Sequence, residues 1–549
     1  MKKTLIYILG IVLLTACVPA TSVPMATAIS TPPPPATSTP MPEALWISPA
    51  VPSDLVDIAQ TWKIPQTDDP ALATYKLDIA DSGSMWIYAL VAPFPTLTDD
   101  VAAQDLISTW KGAPAGPLSG HSLLMAESTL RTFTALWGEP ADGVVTTVSP
   151  GDLVNLAWSV SAWAIIPFED IQPQWKVLSV DGQSPIRKNF DTSAYPLKIN
   201  FGLSNPETIT LPESNRDESK LATVVLTGVT ALVRATAATM EMKNVTYPGS
   251  LVGDWLREAD VAHISNEVPF DAACPTPKSG YTNLILCSDP KYLDLFLDVG
   301  ADIIELTGDH FADRGVNAML NTLEIYKEND LPYYGGGANA EEARQPVLME
   351  VNGNKIAFMG CNGKLKYAKA TATVPGAADC DYDFFVEQIK EVKAQGYMVI
   401  FTFQHEECYF AGPCFTHEEG FHKVADAGAV IVSGSPAHYP HIMEFRDDAF
   451  IHYGLGNLFF DQMTYILPDG KVIDETRREF LDRHVFYDGR YLGAELLTAM
   501  LEDYSRPRPM SESERAEFLS EYFHLSGWIP LSPTPIPQPT VTLTPIALP

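Results

Sequence analysis

ADIIELTGDHFADRG (301–315) carries a short apolar run, Ile303 to Leu306, that breaks at Thr307-Gly308 and delivers Asp309 and His310, two residues able to hold a metal or a substrate. Four other runs in the second half of the chain are built alike: ATVVLTGVTALVRAT (222–236), VAHISNEVPF (261–270), YMVIFTFQHEECY (397–409) and GAVIVSGSPAHYPH (428–441). Buried strands bring their carboxyl ends to one rim of a sheet, where α/β proteins place their ligands. Glu267, Asp309, His310, His405, His438 and His441 are therefore expected to meet, although they lie far apart in the chain. One run departs from the pattern. Its strand ends at Gly228-Val229-Thr230, and the Val229 side chain can ligate nothing.

A chain of 549 residues with 46% apolar content can bury more than one core. Its formal charge of −32 argues against nucleic acid, which needs clustered Lys and Arg, and against electrostatic attachment to anionic lipid. Lys2 and Lys3 precede an apolar stretch, Leu5 to Leu14, too short to span a bilayer comfortably. Leu14-Thr15-Ala16-Cys17 then resembles a bacterial lipobox, which makes 1–17 a lipoprotein signal peptide and Cys17 the lipidated first residue. The alternative is an ordinary signal peptide with an incidental cysteine. On the lipobox reading the protein is extracytoplasmic, at the cell surface or in the periplasm, and the lipid is its only hold on the membrane. Residues 18–43 and 531–549 are rich in Pro, Thr and Ser; they read as an extended spacer and a disordered tail.

Six further cysteines, Cys274, Cys287, Cys361, Cys380, Cys408 and Cys414, suit an exported protein. The sequence leaves their connectivity open. Local pairing in chain order is the simplest expectation, with buried thiols the alternative.

Between spacer and tail the pattern is α/β in two parts. In 44–215, strand-like pieces (84–94 and 154–168) alternate with helix-like ones (99–112 and 127–138). Trp158, Trp163 and Trp175 read there as exposed-loop residues. Trp163 to Pro167, Trp175, Asp181-Gly182 and Tyr195-Pro196-Leu197 resemble half of a periplasmic solute-binding protein; a packing domain with core aromatics is the other reading. In 216–530, helices are expected over 314–328 and 381–395, and a third capped by Thr416. An Asp488-Gly489 hairpin turn and a capping box at Ser511 and Glu514 close the domain.

Five segments of this second part occur in family order. They are Asn266-Glu267, the stretch from Asp309-His310 to Asp313-Arg314-Gly315, His405 to Tyr409, Gly434 to His438 with His441, and Tyr453 to Gln462 around Gly456-Asn457. They resemble the Asn-Leu-Glu, Asn-His-x-x-Asp-x-Gly, His-Trp-Gly-x-Glu-Tyr, Gly-x-His-Pro-His and Ser-Leu-Gly-Asn-Phe motifs of the CapA family, named for bacterial capsule and poly-γ-glutamate synthesis. The resemblance implies a calcineurin-like metallophosphoesterase-type β-sandwich flanked by helices, here preceded by a smaller α/β domain. It also implies metal ligands among Glu267, Asp309, His310, His405, His438 and His441, with His405, His310 and Glu267 at the chemistry. Arg234, Asn266, Arg314 and Asn457 are expected at the substrate.

Metallophosphoesterases begin with Gly-Asp where this chain has Gly228-Val229. Losing that carboxylate points to one divalent ion (Zn, Mn or Fe) in place of two, or to a polar pocket without metal. Lys364, Lys366 and Lys369 read as a solvated basic loop that could also meet a polyanion. Two functions follow. One is synthesis, export or handling of an extracellular anionic polymer or envelope glycopolymer, beside a membrane-bound polymer synthase and with metal-dependent hydrolysis. The other is non-catalytic binding of an envelope polymer or solute. Replacing Cys17 by Ala should move the protein from the membrane fraction to the soluble extracytoplasmic fraction. Retention on membranes after a salt wash would defeat the lipoprotein reading.

Overall fold

The computed structural model describes residues 43–528 apart from 206–208, 279, 281–283, 365, 415 and 416. Cys17, most of the spacer, Thr416 and the tail lie outside the described residues. The apolar runs form strands buried on both faces. In Leu221–Thr227, Ala222, Val224 and Leu226 enter one core and Val225 another. In Asn354–Asn362, Ile356 and Phe358 share the core of Ala222, while Ala357, Met359 and Cys361 enter a third. This period of two explains why the runs read as continuously apolar rather than alternating.

Two sheets enclose the shared core. The first runs in the order Tyr333–Tyr334, Ile303–Glu305, Val261–Asn266, Leu221–Thr227, Arg478–Tyr487, Arg490–Glu502, Arg506–Pro509. Its first four strands are parallel, and the rest form an antiparallel extension. The second runs Val347–Val351, Asn354–Asn362, Met398–Gln404, Ala429–Ser433, Ala449–His452, Met443–Arg446, with its four inner strands parallel. Helices Arg234–Met242, Leu293–Asp298 and Gly315–Glu328 cover the outer face of the first sheet through Met240, Phe296 and Leu323. Helices Tyr382–Ala394 and His417–Ala427 cover the second through Phe385, Ile389 and Val424. Each such fully buried side chain contributes about 1.5–3 kcal/mol relative to exposure. The result is the helix–sheet–sheet–helix sandwich that the sequence implied.

Local signals hold near the C-terminal end of the domain. Asp488 and Gly489 take φ of 50° and 76° between the two longest strands, as a two-residue hairpin turn requires. Ser511 and Glu514 form a reciprocal capping box on the helix Glu512–Leu525, which seats Phe518, Tyr522 and Phe523 in the core between the sheets. Three disulfides join Cys274 to Cys287, Cys361 to Cys380 and Cys408 to Cys414.

Residues 45–203 build a mixed sheet of nine strands with its own core. The expected strand over 154–168 is instead a helix, Leu153–Val160, followed by the strand Trp163–Pro167. Leu153 and Ala157 are buried at helical spacing, and Ser161 turns the chain with φ 57°. The tryptophans are not loop residues: Trp163 and Trp175 are core. Trp158, with Phe94, packs on Phe445 and Trp528 and so joins this part to the second sandwich sheet and to the segment that follows the helix Glu512–Leu525. Asp99 binds Lys176 at 2.6 Å and Arg515 at 3.0 Å across the same junction. Among the described residues no helix is long and apolar enough to cross a membrane.

His484, fully buried against Phe450 and hydrogen-bonded to the Tyr491 hydroxyl at 2.9 Å, has its pKa lowered by burial from 6.5 to about 4. Below pH 6.5 the unfolded chain takes up a proton here that the folded chain refuses, so stability falls as the pH drops toward 4. Between pH 7 and 4.5 the wild type should lose roughly 2–3 kcal/mol more than His484→Gln in denaturant titrations. Equal losses would show that His484 is not held neutral.

Candidate metal centre

Carboxyl ends of strands from both sheets meet at one rim. Glu267 follows Val261–Asn266, and its amide donates to the Thr230 carbonyl at 3.0 Å. Asp309 and His310 open a single turn after Ile303–Glu305. Gly308 makes that approach possible, since a Cβ there would stand 2.7 Å from the Glu267 Cα. Glu267, Asp309 and His310 each bring a ligand atom to within 4.8 Å of the others. From the second sheet, the loop after Ala429–Ser433 supplies His438, whose Nε2 lies 3.6 Å from Glu267 Oε1 and 3.9 Å from Glu407 Oε1.

Glu267 is fully buried, and neither of its carboxylate oxygens accepts a hydrogen bond. Burial works to raise its pKa, but the neighbouring His438, His310 and Lys364 outweigh it and hold the group below the usual carboxylate range. Burial and the Glu267 charge push Asp309 the other way, upward. Both imidazoles are raised to about 9: burial opposes the shift, Asp313 overcomes it at His310, and Glu267 does so at His438.

Each imidazole is also fixed from behind. His310 Nδ1 meets Asp313 Oδ2 at 2.7 Å, and His438 Nδ1 meets Asn457 Oδ1 at 2.8 Å while its ring stacks on Phe460. Both therefore keep Nε2 as a donor toward the rim, the arrangement that orients metal-binding histidines. An orphaned buried carboxylate, Asp309 and two such imidazoles fit one divalent ion, and the nitrogen donors favour Zn, Mn or Fe over Ca. A second ion does not fit equally well. Val229 is buried with no side-chain donor, its N–H bound to the Gly456 carbonyl and its carbonyl to the Leu458 N–H.

The other expected site residues are placed differently. His405 packs on Phe403 and Phe421, at ring distances of 5.1 and 5.8 Å, and lines with His438 and Glu407 the pocket on the second-sheet side of the rim, outside the Glu267, Asp309 and His310 group. His441 lines the same pocket, with its Nδ1 at 2.8 Å from the Gly412 carbonyl. Asn266 directs its amide N–H groups inward, to the Tyr326 hydroxyl and the Val268 carbonyl, while its Oδ1 is buried without a hydrogen bond. Arg234 and Arg314, expected to meet an anionic group, are engaged by Asp461 and Asp271. Asn457 positions His438 rather than a substrate, with its own amide held by the Thr476 and His438 carbonyls.

The reading of a solvated lysine loop fails at two positions. Lys369 pairs with Asp379, and Lys364 is nearly buried, with its ammonium 2.7 Å from Asp309 Oδ2 and bound also to Glu407. Lys364 and Glu407 were missed as site residues. The signal for Lys364 was present: KIAFMGCNGK (355–364) is another apolar run that ends on a charged residue.

A two-sheet sandwich with helices on both outer faces and an acid-and-imidazole rim at its parallel strand ends is the layered architecture that the resemblance to calcineurin-like metallophosphoesterases implied. Residues 223–462 match the family described as bacterial capsule synthesis protein PGA_cap. The capsule biosynthesis protein CapA of Bacillus anthracis is 26% identical over 263 residues, 46% of this chain and 62% of that protein. The PGA biosynthesis protein CapA of Bacillus subtilis is 29% identical over 184 residues, 32% of this chain and 47% of that protein. The chain thus spans less than two thirds of either relative. A 5'-nucleotidase precursor from Thermus thermophilus aligns over 56% of this chain and 59% of its own at 13% identity, with a TM-score of 0.30, too low to bear on function.

Glu267→Gln should abolish tight Mn2+ binding, and Asn457→Ala should weaken it about 10- to 100-fold by freeing the His438 ring. Calorimetry on chelator-stripped protein reads both. Wild-type affinity in Asn457→Ala would remove the positioning role.

Proposed function

We propose that this chain is an envelope protein that handles an extracellular anionic polymer of the capsule or poly-γ-glutamate type. Lipid on Cys17 would hold it at the membrane and residues 18–43 would space it from the surface. One observation carries the reading: in a domain that matches the PGA_cap family, the buried Glu267 carboxylate, with no hydrogen bond to either oxygen, faces His310 and His438. A net charge of −32 repels a polyanion over most of the surface, so attraction has to be focused where positive charge is built in. Lys364 supplies it at the rim, and a divalent ion on His310 and His438 would add to it.

Glu267, His310 and His438, with Asp309 beside them, are the residues that would hold a divalent ion. Such an ion, when bound, polarises a carbonyl and lowers the pKa of water, the chemistry of a metal-dependent hydrolase. The chain's own part is orientation: Asp313 fixes one imidazole and Asn457 the other. Tyr409 donates to Glu407 and lines, with Tyr439 and His438, the narrow pocket that opens from the second sheet. A membrane-bound polymer synthase is the partner that this chemistry fits. Val229 favours a second reading, a binding protein on the same scaffold without turnover.

The mature protein should retain poly-γ-glutamate in a Mn2+-dependent manner, and Glu267→Gln should lose that retention. Polymer that also shortens, read by size-exclusion chromatography, selects the hydrolase; retention without shortening selects the binding protein. Neither retention nor shortening would sink both readings.

A further inference from the structure

We infer that Lys364 is a resident cation of the rim, whose ammonium takes the place of a second divalent ion and balances the acidic residues that such an ion would otherwise neutralise. The inference rests on the one-ion reading of the Glu267 centre. Its starting point is the placement of Lys364. The side chain is about nine-tenths buried and lies between Asp309 of the first sheet and Glu407 of the second. A flexible surface lysine would not be held there, because burying an ammonium is unfavourable unless anions surround it.

The backbone around Lys364 is tied on both sides. Its own N–H donates to Asn362 Oδ1 at 2.8 Å, and the Asn362 amide donates across to the Thr307 carbonyl at 2.7 Å. Gly363 N–H binds the Gln404 carbonyl at 2.8 Å, and a Cβ on Gly363 would stand 2.7 Å from the His405 ring. Asn362 N–H binds the Ala378 carbonyl, and the Cys361–Cys380 bridge closes the same strand end. The ammonium is thus positioned before any ligand arrives.

Charge accounts for the rest. Glu267, Asp309 and Glu407 bring three carboxylates to the rim. One divalent ion on neutral imidazoles together with one ammonium matches these three, and Asp313 stands behind them as a further acid, bound by His310 and the Leu286 N–H. A second divalent ion would leave the rim strongly positive, and Val229 offers it no oxygen. The absence of a side-chain oxygen at Val229 and the buried ammonium of Lys364 then fit one arrangement.

The test is metal binding by the full mature protein, stripped with chelator and titrated with Mn2+, with bound metal counted after desalting. Wild type should hold no more than one ion. Lys364→Met, neutral and of similar length, should bind Mn2+ about ten-fold tighter or more, or take up a further equivalent, because two carboxylates lose their counter-charge. Lys364→Arg should behave as wild type. If Lys364→Met does not fold, Glu407→Gln tests the same balance from the other side and should weaken Mn2+ binding about ten-fold. Two ions in wild type would overturn the inference. So would unchanged or weaker binding in a folded Lys364→Met, as a purely structural ion pair predicts, or unchanged binding in Glu407→Gln. No ion in wild type but one in Lys364→Met would end the one-ion reading and keep the role of Lys364. Failure to bind polymer would leave all these outcomes untouched.

Discussion

The carboxylate of Glu267 lies out of reach of solvent with no hydrogen bond to either oxygen, between residues supplied by both sheets. An ionised carboxylate left so costs several kcal/mol unless positive charge comes close. The rim is organised around that demand. His438 answers it from the second sheet and His310 from the first, and each is steadied by a partner that is itself fixed. Asn457 and Asp313 thereby shape the site through the imidazoles they hold. Lys364 extends the same logic to Asp309 and Glu407.

Such close spacing needs the two sheets to keep their relative register, and a buried polar cluster beneath the rim supplies it. Glu305, wholly buried, accepts from Thr307 Oγ1 at 2.6 Å and pairs with His263 at 3.1 Å within the first sheet. It also accepts from Ser435 of the second. Tyr334 continues the network to Thr402 at 3.1 Å. Glu305 shortly precedes Asp309 and Ser435 shortly precedes His438, so a slip between the sheets would break these bonds before it disturbed the rim. Apolar packing alone tolerates such slips better than a satisfied polar network does.

Much of this was legible in the residues, for identifiable reasons. Parallel strands buried on both faces leave long apolar runs, and their ends announced Glu267, Asp309, His310 and His438. Capping and turn chemistry at Ser511, Glu514 and Asp488-Gly489 is local, so it read correctly. Over 154–160 the apolar residues were too dense to separate a period of two from one of 3.6, and the neighbouring strand 163–167 decided the reading wrongly. Arg234, Arg314 and Asn266 were assigned by chemistry alone. Their partners Asp461, Asp271 and Tyr326 come from distant parts of the chain, and only the fold reveals that they are already engaged. Lys364 failed in the opposite direction: a loop lysine in a basic triplet looks solvated until the sheets bring two carboxylates to it.

The three disulfides share one property: each closes beside a residue that shapes the rim. Cys287 adjoins Leu286, whose N–H donates to the same Asp313 oxygen that steadies His310. Cys361 ends the strand that presents Lys364, and Cys408 follows Glu407. The thiol chemistry of the chain is therefore placed at its rim: a reductant would loosen the segments that carry Lys364 and Glu407 and the loop whose N–H binds Asp313.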